Sequence, residues 1–170
     1  SVVIASRSES AALGAAEKIA SAGGSSATWV GDITREGATD SLVGRAVEAF
    51  GRLDIVVHGA GRVVWKPFLE LTPHEWRQVL DTNLASAFLL TQSAARAMID
   101  GGRGGAIIHI GSIHGALPDP NVVAQCASKA GVVGLVRAAA EALRRSEEMD
   151  RDPMAGLTHE EFLKALGRSA

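Results

Sequence analysis

Ala106-Ile107-Ile108-His109-Ile110, then Gly111-Ser112-Ile113-His114-Gly115, then Gln125-Cys126-Ala127-Ser128-Lys129: the reading of the chain turns on this stretch. The first five residues form a short apolar run that suits a strand buried on both faces. Ser112 then stands just past the strand's carboxyl end, where open α/β sheets place their ligands. Leu117-Pro118-Asp119-Pro120 interrupts the chain, and Asn121 is a suitable cap for a following helix. On that helix Gln125 and Lys129 lie four residues apart and share a face. A hydroxyl at a strand end, with an amide and an ammonium one helical turn apart, can surround one polar group of a substrate. The same residues also fit a solvated loop followed by a surface lysine.

Outward from this stretch the pattern alternates. Val2 to Ala5 reads as a strand, Glu9 to Ala22 as a helix ended by Gly23-Gly24, and Ala27 to Val30 as a strand entering Gly31-Asp32-Ile33-Thr34. Arg35 to Phe50 reads as a helix with Leu42, Val43, Ala46, Val47 and Phe50 on one face, stopped by Gly51. Leu53 to Val57 is a third strand, closing on His58-Gly59-Ala60-Gly61. Thr72-Pro73-His74-Glu75 opens a helix with a capping box and runs to about Ile99. After the glycine-rich turn Gly101–Gly105 and the strand before Ser112, a helix runs from Asn121 to about Arg145. A polar break at Ser146–Pro153 and a last capped helix from Thr158 follow. Strands alternating with helices imply parallel strands joined by right-handed crossovers.

Composition narrows the function classes. The 170 residues suffice for one domain with a core, and 46% are hydrophobic. The net charge is −2 and the basic residues cluster only at Arg144-Arg145, which argues against nucleic acid or an anionic membrane as partner. No apolar run approaches the roughly 18 residues of a membrane span, and Ser1 to Ala5 carries no signal-peptide pattern. Cys126 is the only cysteine, which excludes an intrachain disulfide and fits a cytoplasmic protein. His58, His74, His109, His114 and His159 lack metal-ligand spacing, so no metal site is expected.

Ser112, Gln125 and Lys129 together resemble the short-chain dehydrogenase/reductase family, whose members carry a Ser after the fifth strand and Tyr-x-x-x-Lys on the next helix. Gln125 stands 13 residues after Ser112 and four before Lys129, the spacing of the family's tyrosine, and the chain has no tyrosine at all. The resemblance covers about Ser1 to Arg145 as a single Rossmann-type domain of residues 1–170, with 146–170 similar only to the family's mobile substrate lid. It implies a three-layer, doubly wound parallel sheet that is incomplete relative to the family. The family's first strand and its Thr-Gly-x-x-x-Gly-x-Gly turn find no match, nor do its sixth and seventh strands.

The roles that follow are those the resemblance implies. The reaction is hydride transfer between a nicotinamide and a small-molecule carbonyl or alcohol. Ser112 holds the substrate oxygen, Lys129 binds the nicotinamide ribose, and Asn83, within Asp81-Thr82-Asn83-Leu84, perturbs its helix and holds a water near the lysine. Gln125 occupies the proton donor's place but cannot act as an acid near neutral pH. His114, two residues past Ser112, is a stand-in acid. Asp32 and Ile33 lie in the turn that receives the adenine; the plain alternative for Asp32 is a helix cap. His58, Ala60 and Gly61 stand where the family places Asn-Asn-Ala-Gly beside the adenosine ribose. Ser6 and Arg7 replace the acidic residue that selects NAD, so NADP(H) is preferred over NAD(H), the alternative being a solvated arginine. Small residues on the Asn83 and Lys129 helices suggest a homo-oligomer, a dimer or tetramer. The missing tyrosine keeps open a non-catalytic structural or nucleotide-binding regulatory subunit.

Overall fold

In the computed structural model, which describes residues 1–151, strand β1 (Val2–Ser6) pairs in parallel with β2 (Ser26–Val30), Val2 opposite Ser26 and Ser6 opposite Val30. Helix α1 (Glu9–Ser21) joins them. Ser8 caps it by accepting the Ala11 N–H at 3.3 Å, Glu9 sits at its positive end, and Gly23 leaves it with φ of 76°.

The next helix, α2, spans Ala38–Phe50 and starts three residues later than the sequence pattern suggests. The Asp32 carboxylate takes both the N–H (3.0 Å) and the hydroxyl (2.8 Å) of Thr34, and Gly37 adopts a left-handed φ of 70°. That conformation cannot continue a helix, so α2 begins after it. Asp32 therefore caps its own turn and not the helix.

Strand β3 (Ile55–His58) pairs in parallel with β4 (Ala106–His109), Ile55 opposite Ala106 and His58 opposite His109. Between them lie a short 3₁₀ turn (Phe68–Glu70), α3 (Pro73–Leu80), a π-helical turn (Asp81–Ala85) and α4 (Ser86–Asp100). The capping box at Thr72 is present in full: Glu75 N–H donates to the Thr72 hydroxyl and Thr72 N–H to the Glu75 carboxylate. What reads in sequence as one helix is thus interrupted. Thr82 and Ser86 return their hydroxyls to the carbonyls of Gln78 (2.8 Å) and Thr82 (2.6 Å), and the Ser86 N–H reaches back to Asp81.

The main apolar cluster is Val43, Val56, Leu90, Ala94 and Met98, where α4 covers β3 and β4 and packs against α2, which in turn covers β1 and β2. Gly105 is fixed by this packing, since a Cβ there would meet the Met98 sulfur at 2.5 Å and the Asp54 carbonyl at 2.7 Å.

After β4 comes a 3₁₀ turn (Ile113–Gly115) and then α5 (Val123–Arg151). Asn121 does not open that helix. The Asp119 carboxylate accepts the Asn121 N–H at 2.8 Å, and α5 starts two residues further on. Helix also replaces the polar break expected from Ser146, continuing through Arg151. Residues 152–170, with the rest of that break, the helix from Thr158 and most of the lid segment, lie outside the described residues. The chain divides into two compact units, Ser1–Val133 and Gly134–Ala170. The described part of the second is helical, with Arg145 bonded to Glu141 at 2.8 Å. No helix among the described residues is long and apolar enough to cross a membrane.

Among the described residues the strands are all parallel and alternate with helices, as the sequence implies, but they form two two-stranded sheets, β1–β2 and β3–β4. The incompleteness expected from the sequence takes this form: the hydrogen-bonded ladder is interrupted between β1 and β3.

Candidate active site

Asn83 is the hub of the first cluster. The π-helical turn carries it, and it is fully buried. Its Oδ1 accepts the Arg62 N–H at 2.7 Å, while Nδ2 lies 2.9 Å from the Arg62 carbonyl, 2.8 Å from Gln125 Oε1 and 2.9 Å from Ser128 Oγ. Two N–H groups serve three acceptors, so one is shared. Ser128 spends its own proton on the Gln125 carbonyl at 2.9 Å, which leaves its oxygen free to accept. This one amide ties three pieces together: the α3–α4 junction, the loop after β3, and the first turns of α5. The loop is held twice more, by Lys66 N–H on the Asn121 carbonyl (2.7 Å) and by the Lys66 ammonium on Glu75 (2.9 Å).

Lys129 forms a second cluster. Only 6% exposed, it donates to the Ile110 carbonyl at 2.6 Å, just past the end of β4. Burial pushes its ammonium below the usual lysine range. The Ser112 turn packs against α5 at this level, because a Cβ on Gly115 would come within 3.1 Å of the Lys129 carbonyl group. Ser112 is exposed, and its oxygen accepts the His114 N–H at 3.2 Å, which leaves its own proton available. His114 Nε2 lies 3.9 Å from Asp119 Oδ2. Gln125 joins the Asn83 cluster: its side-chain carbonyl points at Asn83.

The third cluster was not visible in the sequence. His58 and His109 stand opposite each other on β3 and β4, ring centroids 5.4 Å apart. His58 is 3% exposed, with Nε2 2.8 Å from Ser86 Oγ; His109 Nε2 is 2.9 Å from Thr91 Oγ1. Both hydroxyls already donate to backbone, Ser86 to Thr82 and Thr91 to Ala87. Each must therefore accept from its histidine, which assigns a proton to Nε2 of both rings. His109 Nδ1 is then a bare acceptor, buried without a partner. Burial, then the neighbouring His109 and Lys129, lowers His58 to about 4. Its ring faces α4, so at position 58 only the main chain is placed for a ligand beside β3. Ser86, Thr91, Ser128 and Arg62 carry no motif, and no local pattern in the sequence marks them.

The remaining expected residues border one cleft of about 1090 Å³. Its walls are β1 and β3, with Ser6 and Arg7 at one rim, Asp32 and Ile33 beside them, and His58–Gly61 opposite. The strand order across it is β2, β1, cleft, β3, β4. The winding reverses direction there, the place where open α/β sheets bind ligands. Both hydrogen bonds from Thr34, with Arg7 and Arg35 nearby, hold the Asp32 carboxyl below its ordinary range, so it is ionised at neutral pH. Arg7 is exposed at the end of β1, and a Cβ on Gly59 would meet nothing within 4 Å. A guanidinium, a hydroxyl, a carboxylate and an open stretch of main chain suit the nucleoside end of a dinucleotide. Among the described residues no glycine-rich turn leads from a strand into a helix at this rim, so the cradle for its phosphates is not supplied by them. Ser112, Gln125 and Lys129 stand apart from the walls of this cleft.

The family pattern described as short chain dehydrogenase matches residues 1–147. An L-rhamnose 1-dehydrogenase (NAD(P)(+)) of Azotobacter vinelandii is 36% identical over 132 residues, 78% of this chain and 52% of that protein. A short chain dehydrogenase from Mycobacterium smegmatis superposes with a TM-score of 0.80 at 32% identity, over 83% of this chain and 59% of its own. A metagenomic short-chain oxidoreductase solved in complex with NADP does so with a TM-score of 0.78 at 32% identity, over 84% of this chain and 64% of its own. The chain spans about half the length of the curated relatives it matches. With its alternating parallel fold, its reversal cleft and its Asn83 and Lys129 clusters all inside the matched span, the chain belongs to the short chain dehydrogenase family.

Proposed function

We propose that this chain carries the core of an NAD(P)-dependent oxidoreductase that moves a hydride between a nicotinamide and a small carbonyl or alcohol. The observation that carries this reading is Lys129, a buried ammonium beside the Ser112 turn, where its charge meets whatever binds at the end of β4. When bound, the cofactor supplies the hydride. The chain supplies position. Asp32 and the Ile33 backbone hold the adenine, Ala60 and Gly61 lie along the ribose through main chain, and Lys129 reaches the second ribose. Ser112 donates a hydrogen bond from its hydroxyl to the substrate oxygen and keeps its proton. Asn83 sets the position of Gln125 and of the loop after β3.

Arg7 and Ser6 favour NADP(H) over NAD(H): an exposed guanidinium beside a hydroxyl suits a 2′-phosphate, and a neighbour was solved with NADP. Gln125 donates a hydrogen bond but no proton near neutral pH, so His114, the imidazole of the Ser112 turn, is the nearest replacement acid. The exposed Phe88 and Leu89 on α4 and Val133 on α5 are read as a face between copies of the chain.

Titration with NADPH and NADH, following nicotinamide fluorescence, tests the cofactor assignment, and a carbonyl panel under NADPH oxidation tests the reaction. Tighter NADPH binding with turnover is expected. Binding without turnover leaves a nucleotide-binding subunit; no binding of either cofactor ends the proposal.

A further inference from the structure

The backbone of Arg62 decides which end of its amide Gln125 presents. A main-chain N–H only donates and a main-chain carbonyl only accepts. The Arg62 N–H therefore fixes Oδ1 of Asn83 at 2.7 Å, and the Arg62 carbonyl fixes Nδ2 at 2.9 Å. Nδ2 then donates at 2.8 Å to the side chain of Gln125, which must meet it with Oε1. The Gln125 NH₂ is thereby turned away from Asn83, and it has no hydrogen-bond partner among the described residues.

Lys129, one helical turn along the same face of α5, also has donors to spare. Its buried ammonium gives one N–H to the Ile110 carbonyl at 2.6 Å and has two more. Burial shifts it, and no carboxylate among the described residues bears on its charge. The titratable side chains that feel that charge are His58 on β3 and His109 on β4, both pushed below the usual imidazole range, so neither adds charge at neutral pH. Asp119, on the loop ahead of α5, is engaged elsewhere: it accepts the Asn121 N–H at 2.8 Å and faces His114 Nε2 at 3.9 Å. A buried ammonium is ordinarily paired with an acid. Ser112 adds a third donor, since its oxygen takes the His114 N–H and its own proton is uncommitted. The turn that carries it packs on α5 at Lys129. An amide, an ammonium and a hydroxyl thus gather at the end of β4 with one positive charge and no acid to balance it.

We infer that Gln125 and Lys129 form a carboxylate site beside Ser112, so that the substrate is a carbonyl or alcohol compound carrying a carboxylate next to the reacting carbon. The reacting carbon rests on the oxidoreductase proposal; the carboxylate site does not. One carboxylate oxygen accepts from the Gln125 NH₂ and the other from the Lys129 ammonium, a charge-assisted bond. Ser112 holds the neighbouring carbonyl oxygen, and the last N–H of Lys129 is left for the ribose. A single negative charge matches the single ammonium. An ester of the same compound would leave that ammonium buried without a counter-ion. Asn83 enforces the choice: by holding Oε1 it blocks the amide flip that would present an acceptor to the ligand and repel a carboxylate.

The test titrates the full 170-residue chain, isotope-labelled and without cofactor, with pyruvate and with methyl pyruvate, which share a carbonyl and differ in charge. NMR follows the side-chain NH₂ signals of Gln125 and the backbone amides around Ser112. Pyruvate is expected to bind about tenfold or more tightly than its ester and to move the Gln125 NH₂ signals. Gln125→Glu keeps an oxygen for Asn83 and replaces the outward NH₂ with a second oxygen of the ligand's own charge, so it should abolish the preference. Lys129→Met, similar in length and uncharged, should bring the two affinities within about twofold. The dispersion of the amide spectrum shows whether each variant is folded. Equal affinity for the two probes in the parent chain, binding of neither, or a preference for pyruvate that survives both substitutions in folded protein would each overturn the inference. Binding is read without cofactor, so a failure of hydride transfer produces none of these outcomes; oxidation of NADPH by pyruvate is a separate measurement that bears on the oxidoreductase proposal.

Discussion

The two ends of the site are built differently. At the β1–β2 end, Arg7, Ser6 and Asp32 are accessible residues whose partners lie within a few positions in the chain. At the β3–β4 end, Asn83, Lys129, His58 and His109 are buried and tied to residues far away in sequence, Asn83 to Ser128 and His58 to Ser86. Charges that face solvent act on a ligand largely alone. Buried polar groups act as a set, because each lost partner leaves another unsatisfied. The first end is therefore expected to yield to single substitutions in binding, the second in stability and rate.

The largest effect falls where the buried end meets chemistry. In a chain that binds cofactor, Gln125→Tyr should raise carbonyl reduction by about 10²–10⁴-fold, since a phenol beside the Lys129 ammonium has its pKa lowered. Lys129→Ala in that background should remove the gain. A folded Gln125→Tyr variant without gain over a broad carbonyl panel would show that position 125 does not reach the substrate oxygen. The Asn83 bond would then be the reason, holding residue 125 to the interior.

Asn83→Ala comes next. It leaves the Arg62 N–H and carbonyl without their partner and frees Gln125, so urea denaturation should show a loss of roughly 2–4 kcal/mol. A loss below about 0.5 kcal/mol would place the network's contribution elsewhere and erase the contrast between the two ends.

Acid should separate the ends as well. His58 takes up a proton near 6.5 when unfolded and only near about 4 in the fold. Between those values the unfolded state holds more protons, so stability is full above about 6.5 and falls as the pH drops toward 4, by about 2–3 kcal/mol. His109, lowered for the same reasons of burial and the nearby Lys129, changes in the same sense. Denaturation midpoints from pH 8 to 4 should show this slope in the parent chain and a shallower one in His58→Gln. Equal slopes would remove the imidazole from the account.

At the accessible end the effects shrink. Arg7→Asp should turn the NADPH to NADH affinity ratio by about tenfold or more, read by fluorescence titration, with little change in the unfolding midpoint. Unchanged ratios would return Arg7 to solvent. Asp32→Ala should cost under about 1 kcal/mol of stability, because it loses a local turn whose N–H and hydroxyl water can serve. A larger loss would make that turn part of the core.

Most of the element order was legible because periodicity and punctuation are local. The Thr72–Glu75 capping box, the stop at Gly51 and the apolar run before Ser112 each announce themselves within a few residues. The π-helical turn at Asp81–Ala85 was legible only through resemblance, since an asparagine inside a helix signals a perturbation without giving its shape. The late start of α2 was missed because Gly37 is one of many glycines, and nothing nearby fixes its positive φ until Asp32 takes Thr34. The continuation of α5 past Arg145 was missed because a polar helix and a polar break have the same composition.

By itself the sequence determined the parallel alternation of strands and helices and the Ser112, Gln125 and Lys129 spacing, along with the chemical types available at each strand end. Those depend on backbone propensity and on contacts a few residues apart. Only the tertiary structure decided that Gln125 bonds to Asn83, that His58 turns inward to Ser86, and that His109 stands against it. Each of these depends on which groups, distant in the chain, are buried together, and burial forces every polar group to find a partner that no local pattern names.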